Sequence, residues 1–259
     1  MTTQIVQDIL GLLSGSVVGF SLGMVGGGGS ILAVPLMVYL VGVPSPHVAI
    51  GTSALAVAVN AAANVVSHAR MGTVKWRCAG VFAAAGIVGA YGGSSLSKIV
   101  DGAKLLALFA VLMMIVAAMM FARRENVGDA SVDLCRDNVA KLLLTGLLTG
   151  SLAGFFGIGG GFLIVPGLMF ASGMPITNAV GSSLVAVAAF GATAAFNYAI
   201  SGFVDWRLAA VFIAGGIVGG LAGGQMAHKL GSRRGLLNIV FAGIILVVAL
   251  YMLARSIWS

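Results

Sequence analysis

The chain has 259 residues, of which 59% are hydrophobic and only 8% are charged, and its mean hydropathy is +1.09. A water-soluble domain of this length cannot bury so much apolar surface, and the continuous apolar runs exclude the alternating strands of an outer-membrane barrel. The formal net charge is +7, but the basic residues stand singly at the ends of apolar runs, which argues against a nucleic-acid-binding patch. The composition predicts an all-α, multi-pass protein of the cytoplasmic (cell) membrane.

The apolar runs predict eight to ten helical segments. The first helix covers residues 5–25 and stops at a run of four glycines. A segment over 30–42, too short to span alone, then begins with Ser30 as its N-cap. The other predicted helices, in chain order, cover residues 48–69, 78–97, 105–122, 138–156, 161–173, 178–200, 208–227 and 236–254. Of these, 161–173 is the second short segment.

The sequence around the glycine break occurs twice. Gly26-Gly27-Gly28-Gly29-Ser30 corresponds to Gly157-Ile158-Gly159-Gly160-Gly161 at an offset of 131, and a proline follows each, Pro35 and Pro166. Further matches follow at an offset of 130, Gly51-Thr52-Ser53 with Gly181-Ser182-Ser183 and Trp76-Arg77 with Trp206-Arg207. We therefore predict an internal duplication: a first transmembrane repeat over 1–122, a polar cytoplasmic linker over 123–137 and a second repeat over 138–259.

The path of the chain at each break determines whether the two halves are parallel or inverted. One broken crossing would make the halves parallel, whereas a re-entrant hairpin would invert them. The hairpin puts ten of the fourteen Lys and Arg residues on one side of the membrane and four on the other, whereas the broken crossing puts nine on one side and five on the other. The positive-inside rule therefore slightly favours the hairpin. The ten are Arg70, Lys75, Arg77, Arg123, Arg124, Arg136, Lys141, Lys229, Arg233 and Arg234; the four are Lys98, Lys104, Arg207 and Arg255.

The duplicated glycine break, the proline after each break, the Gly-Thr/Ser-Ser of each half and the paired Trp-Arg resemble the TauE/SafE family of sulfite exporters. The resemblance covers essentially the whole chain. It implies a membrane transporter for a small sulfur- or carbon-containing anion, such as sulfite or a sulfonate, and it does not select one anion.

A helix that begins at glycines inside a membrane presents free backbone N–H groups and the positive end of its dipole, which together favour an anion. Hydroxyl and amide side chains in the neighbouring spans add hydrogen-bond donors, although such groups also serve to bond their own helix or to bridge helices. The predicted substrate-binding residues are Gly27, Gly28, Gly29, Ser30, Thr52, Ser53, Asn60, Asn64, Gly159, Gly160, Gly161, Ser182, Ser183 and Asn197.

All seven acidic residues lie in loops or near helix ends, whereas a cation transporter usually places a carboxylate in mid-span. We therefore expect a transporter that binds a small anion between the two breaks and works by alternating access. A cation or neutral-solute transporter and a non-transporting membrane sensor are the alternatives. No catalytic or metal-binding motif is present, so an enzyme, a cofactor and a metal are not expected. The lipid bilayer is the expected partner, nucleic acid is not, and a homo-oligomer is left open.

Overall fold

The computed structural model describes residues 2–122, 136–157, 159, 161–229 and 234–258. The described residues form helices joined by short turns. The α-helices are α1 (Thr2–Val25), α2 (Ala33–Pro35), α3 (Pro46–Arg70), α4 (Trp76–Ser97), α5 (Gly102–Ala122), α6 (Arg136–Phe156), α7 (Gly161–Ser172), α8 (Ile176–Ile200), α9 (Trp206–Lys229) and α10 (Arg234–Trp258). A 3₁₀ helix (Gly26–Leu32) precedes α2, and a π-helical turn (Leu36–Leu40) follows it.

Six of the described helices are long and apolar enough to cross a membrane: α1, α3, α4, α6, α8 and α9. In α5 and α10 the apolar stretches with described side chains, Gly102–Ala118 and Gly243–Arg255, are shorter than in these six helices. The described part of the chain is thus all-helical and has enough long apolar helices for a multi-pass membrane protein, as the composition predicted. The predicted polar linker lies outside the described residues except for Arg136 and Asp137, with which α6 begins.

The first glycine break reverses the chain. Gly26 has a left-handed φ of +72°, a conformation that a side chain would strain. Beyond it, a Cβ built on Gly29 would lie 2.6 Å from the Cβ of Ser21, so the chain after the break runs back along α1. The segment Gly26–Leu40 is therefore the returning arm of a hairpin with α1.

The second break does the same. Gly157 and Gly159 have φ values of +63° and +64°. Beyond them, a Cβ built on Gly167 in α7 would lie 3.3 Å from the side chain of Thr149 in α6. A continuous helix would place those two residues about 27 Å apart, so α7 returns along α6. Of the two chain paths that the sequence left open, the structure contains the hairpin.

Helices from the two parts of the sequence pack against each other. Helix α1 packs along α9, α6 along α4, α3 along α8 and α5 along α10. Glycines allow the closest approaches: a Cβ on Gly19 would overlap the carbonyl of Gly216, and one on Gly150 would overlap the carbonyl of Gly86. Close backbone packing at small residues is the usual way in which membrane helices associate. The long central helix α8 packs against both Gly26–Leu32 and α7.

Candidate functional site

The two glycine breaks meet in the interior of the protein. A Cβ built on Gly27 would lie 2.5 Å from the Cα of Gly161, and one on Gly161 would overlap the Gly27 carbonyl. Both residues are buried. Neither position has room for a side chain, so glycine is required because two backbones share this space.

Two valines flank the meeting point. A Cβ on Gly159 would lie 2.9 Å from Val187 Cγ1 and 3.2 Å from Val57 Cγ1, and one on Gly27 would lie 2.7 Å from Val187 Cγ2. Val57 and Val187 stand near the middle of α3 and α8, which have 25 residues each. The breaks therefore meet at the mid-depth of the two central helices. The sequence reasoning missed both valines because an apolar residue in an apolar span carries no signal; their separation of 130 residues is the one hint.

Hydroxyl groups bond the first break to its surroundings. The backbone N–H of Gly27 donates to Ser183 Oγ at 3.4 Å, and Ser183 Oγ donates in turn to the carbonyl of Val180 at 2.8 Å. Ser30 Oγ donates to the Gly27 carbonyl at 2.8 Å. Ser30 lies inside the 3₁₀ helix rather than before a helix, so its predicted position as an N-cap is wrong. After the reversal at Gly26, the glycines themselves form the start of this 3₁₀ helix, Gly26–Leu32, in place of a non-helical break.

Thr52, Ser53 and Ser182 are fully buried but serve other groups. Thr52 Oγ1 accepts a hydrogen bond from the backbone N–H of Asp205 at 2.9 Å, just before α9 begins. Ser182 Oγ accepts one from the N–H of Lys75 at 2.9 Å, just before α4. Ser53 Oγ donates to the carbonyl of Ile50 in its own helix. The bonds of Thr52 and Ser182 hold the start of α9 against α3 and the start of α4 against α8.

The three asparagines have different environments. Asn197 lies near the end of α8, where its amide nitrogen donates to Ser94 Oγ at 2.7 Å and to Ser95 Oγ at 2.8 Å. Its side-chain oxygen accepts from Lys98 Nζ at 2.8 Å, so the Asn197 side chain joins α8 to α4 away from the breaks. Asn64 Nδ2 donates to the backbone carbonyl of Asn60 at 2.8 Å, within α3.

Asn60 is the exception. Its side chain is fully buried, and neither Oδ1 nor Nδ2 has a hydrogen-bond partner within the described part of the chain. It stands one turn after Val57, on the side of α3 that packs against α9, where a Cβ on Gly216 would overlap the Asn60 amide. An unpaired amide in such a position is costly, which makes Asn60 the most informative of the predicted polar residues.

The sequence comparisons agree with this architecture. Residues 11–252 match the model of the family described as "Sulfite exporter TauE/SafE". The chain belongs to the sulfite exporter TauE/SafE family. It is therefore a member of a membrane transporter family, as the glycine, proline and Trp-Arg motifs indicated.

Proteins of similar sequence occur in other bacteria. A "Probable membrane transporter protein" of Xylella fastidiosa is 49% identical over 251 residues, which cover 95% of this chain and 94% of the relative. "Probable membrane transporter protein YunE" of Bacillus subtilis is 26% identical over 250 residues, with 88% of this chain and 90% of the relative covered. No solved structure is a significant match to this chain.

The described carboxylates of this TauE/SafE protein are engaged near helix ends, away from the breaks. Asp8 forms an ion pair with Arg207. Asp101 accepts from the N–H of Ala103, and Asp205 accepts from the N–H of Leu208 at 3.0 Å, each at the start of a helix. Among the described residues, no three His, Cys, Asp or Glu side chains form a group that could hold a metal ion. Gly160, predicted for the site, lies outside the described residues, and Gly28 is buried within the 3₁₀ helix.

Proposed function

We propose that the protein carries a small anion across the cytoplasmic membrane, sulfite or a related organosulfur or carboxylate anion. The anion is held at mid-depth between the two re-entrant breaks. The observation that carries this proposal is the close contact of Gly27 with Gly161, because it brings two interrupted backbones together in the middle of a membrane protein. Interrupted helices at the membrane midplane are the usual location of a transporter's binding site.

The chemistry at this point favours negative charge. Helix α7 begins at Gly161 and has 12 residues, so its first N–H groups lack partners within the helix and its dipole adds positive potential. The Gly27 N–H, which has only a long bond to Ser183, adds a donor from the other arm. No described carboxylate competes for these donors, whereas a cation site at this depth would need one.

The pattern of contacts supports two halves related by a pseudo-two-fold axis, and we propose that these halves are inverted. Gly26 of the first break lies against Val180 of α8, and Gly157 of the second lies against Ile50 of α3. These two contacts are exchanged between residues 130 or 131 apart, as a pseudo-two-fold axis between the two halves would require. The bond from Asp205 to Thr52 and that from Lys75 to Ser182 are exchanged in the same way. We infer that rocking of one half against the other exposes the anion to each side in turn.

The test is uptake of labelled anions by proteoliposomes that contain the purified protein. Sulfite, sulfate, thiosulfate, a sulfonate and lactate would be compared, with and without a pH gradient. Saturable uptake of one or more of them is expected. If folded, inserted protein takes up none of them, the small-anion proposal fails and a neutral solute or a sensor becomes the better explanation.

A pair of glycine variants tests the location of the site. Gly159→Leu puts a side chain where φ is +64° and where Val57 and Val187 already fill the space, so we expect at least a tenfold loss of uptake. Gly92→Ala, on an open helix surface, is the control for reconstitution and should retain full uptake. A Gly159→Leu protein that elutes as folded material and transports normally would show that the anion binds elsewhere.

A further inference from the structure

Asn60 is a buried polar group that the fold does not use. Its side chain is 0% exposed, and both of its hydrogen-bonding atoms lack a partner among the described residues. An amide that only bridged helices would donate or accept across the α3–α9 contact, as Asn197 does between α8 and α4. Buried polar groups are nearly always paired, so an unpaired one beside a transport site points to a ligand.

The equivalent position in the second part of the sequence holds no polar group. Asn60 and Phe190 are 130 residues apart, the offset at which the other motifs match. They also make matching contacts, because a Cβ on Gly216 would overlap the Asn60 amide and a Cβ on Gly86 would overlap the Phe190 ring. Phe190 stacks on Phe82 at a centroid distance of 6.0 Å. The position in the second half is thus filled by stacked aromatic rings, whereas the equivalent position in the first half carries a smaller side chain with a hydrogen-bond donor and an acceptor.

Asn60 is close to the breaks along α3. Val57, one turn earlier, is the residue on α3 that faces Gly159. Residues three apart on a helix are surface neighbours, so Asn60 stands one turn away from the residue that faces the second break. Gly216, against which the Asn60 side chain lies, in turn contacts Gly19 of α1, the helix that leads into the first break.

We propose that Asn60 binds the transported anion through both of its polar atoms and thereby selects an oxyanion that also carries a hydroxyl group. This inference rests on the proposed function and defines its substrate class. The Nδ2 group donates to an anionic oxygen, and Oδ1, which can only accept, takes a hydrogen bond from the hydroxyl. Hydroxyalkanesulfonates, 2-hydroxy acids and the hydroxyl form of hydrogensulfite meet this requirement. A simple alkanesulfonate or alkanoate leaves Oδ1 unpaired.

Two pairs of anions test this selectivity at a single pH: 2-hydroxyethanesulfonate against ethanesulfonate, and lactate against propionate. Within each pair the charge is the same and only the hydroxyl differs. We expect wild-type proteoliposomes to take up the hydroxylated member of at least one pair about tenfold better, which corresponds to one net hydrogen bond. Asn60→Leu, close in shape but without polar atoms, should abolish this preference.

The control variant is Thr193→Val, which removes a polar group at similar depth on α8. Thr193 Oγ1 donates only to the carbonyl of Ala189 in its own helix, so the substrate preference should stay at the wild-type ratio. If Asn60→Leu does not yield folded protein, equal uptake within each pair by the wild-type protein still overturns the proposal. An equal rise in the melting temperature of the wild-type protein in detergent with the two anions of each pair does so as well.

The outcomes separate the two proposals. Equal uptake of both members of each pair by the wild-type protein, or an unchanged preference in Asn60→Leu, overturns the role of Asn60 and leaves the small-anion transporter intact. No uptake of any of the four anions or of the sulfur anions named above overturns both proposals. A preference that disappears in Asn60→Leu and persists in Thr193→Val supports both.

Discussion

Gly93 of α4 lies against the backbone carbonyl of Ser151 in α6, and its neighbour Gly92 faces open space. A Cβ built on Gly93 would overlap that carbonyl, whereas one on Gly92 would meet no atom within 4 Å. Two adjacent glycines of one helix therefore have different functions. Gly93 permits the close packing of α4 on α6, whereas no contact requires a glycine at position 92.

This difference predicts opposite effects of the same substitution. Gly93→Ala should destabilise the protein by about 1–3 kcal/mol, because α4 and α6 must separate to admit a methyl group. Gly92→Ala should leave stability unchanged or raise it by up to about 1 kcal/mol, since alanine favours helix. The apparent melting temperature of each purified variant in detergent measures the effect. Equal melting temperatures would mean that α4 and α6 do not pack as closely as described.

The hydrogen bond from the Asp205 N–H to Thr52 Oγ1 predicts a second effect. Asp205 also caps α9 by accepting from Leu208, so Thr52 holds the cap residue itself. Thr52→Val keeps the shape of the side chain and removes the acceptor, which should cost about 1–3 kcal/mol for the unpaired donor. Melting in detergent is again the measurement, with Thr193→Val as the matched control. A Thr52→Val protein as stable as Thr193→Val would show that water replaces the lost acceptor.

The hydrogen bonds of the Asn197 side chain allow its predicted role in substrate binding to be tested against a structural role. Its side chain bonds to Ser94, Ser95 and the Lys98 ammonium group, and the bond to the charged group is the strongest of the three. Asn197→Ala should therefore lower stability by about 1.5–3 kcal/mol. Melting temperature and the KM for uptake should be measured together. A raised KM at an unchanged melting temperature would support the prediction from sequence that Asn197 binds the substrate.

The sequence alone predicted the helical fold and the position of the breaks, because apolar runs and glycine-proline punctuation are local signals. It did not reveal that Gly27 and Gly161 touch, since that contact depends on how two distant hairpins pack. It also grouped Asn60 with Asn64 and Asn197, as three amides in apolar spans look alike in a sequence. Only the packing distinguishes an amide that bonds its own helix or a neighbouring one from an amide that has no partner.

The proposed inversion of the two halves can be tested at a pair of turn residues 130 positions apart. Met71 follows α3 and Ser201 follows α8, and both are exposed. In a background with Cys78→Ser and Cys135→Ser, each would be replaced by cysteine and labelled with a membrane-impermeant maleimide. We expect Ser201→Cys to react in intact cells and Met71→Cys to react only after permeabilisation. The reason is that Met71 belongs to the side rich in Lys and Arg, which the positive-inside rule places in the cytoplasm.

The labelling result would also decide between the two arrangements of the halves. Parallel halves put equivalent turns on one side of the membrane, so both cysteines would react under the same condition. Inverted halves put them on opposite sides, and two inverted arms would reach the same depth from opposite surfaces. Reaction of both cysteines in intact cells would therefore contradict the inverted arrangement and, with it, the rocking mechanism. The contact of Gly27 with Gly161 would then have to arise from two parallel halves.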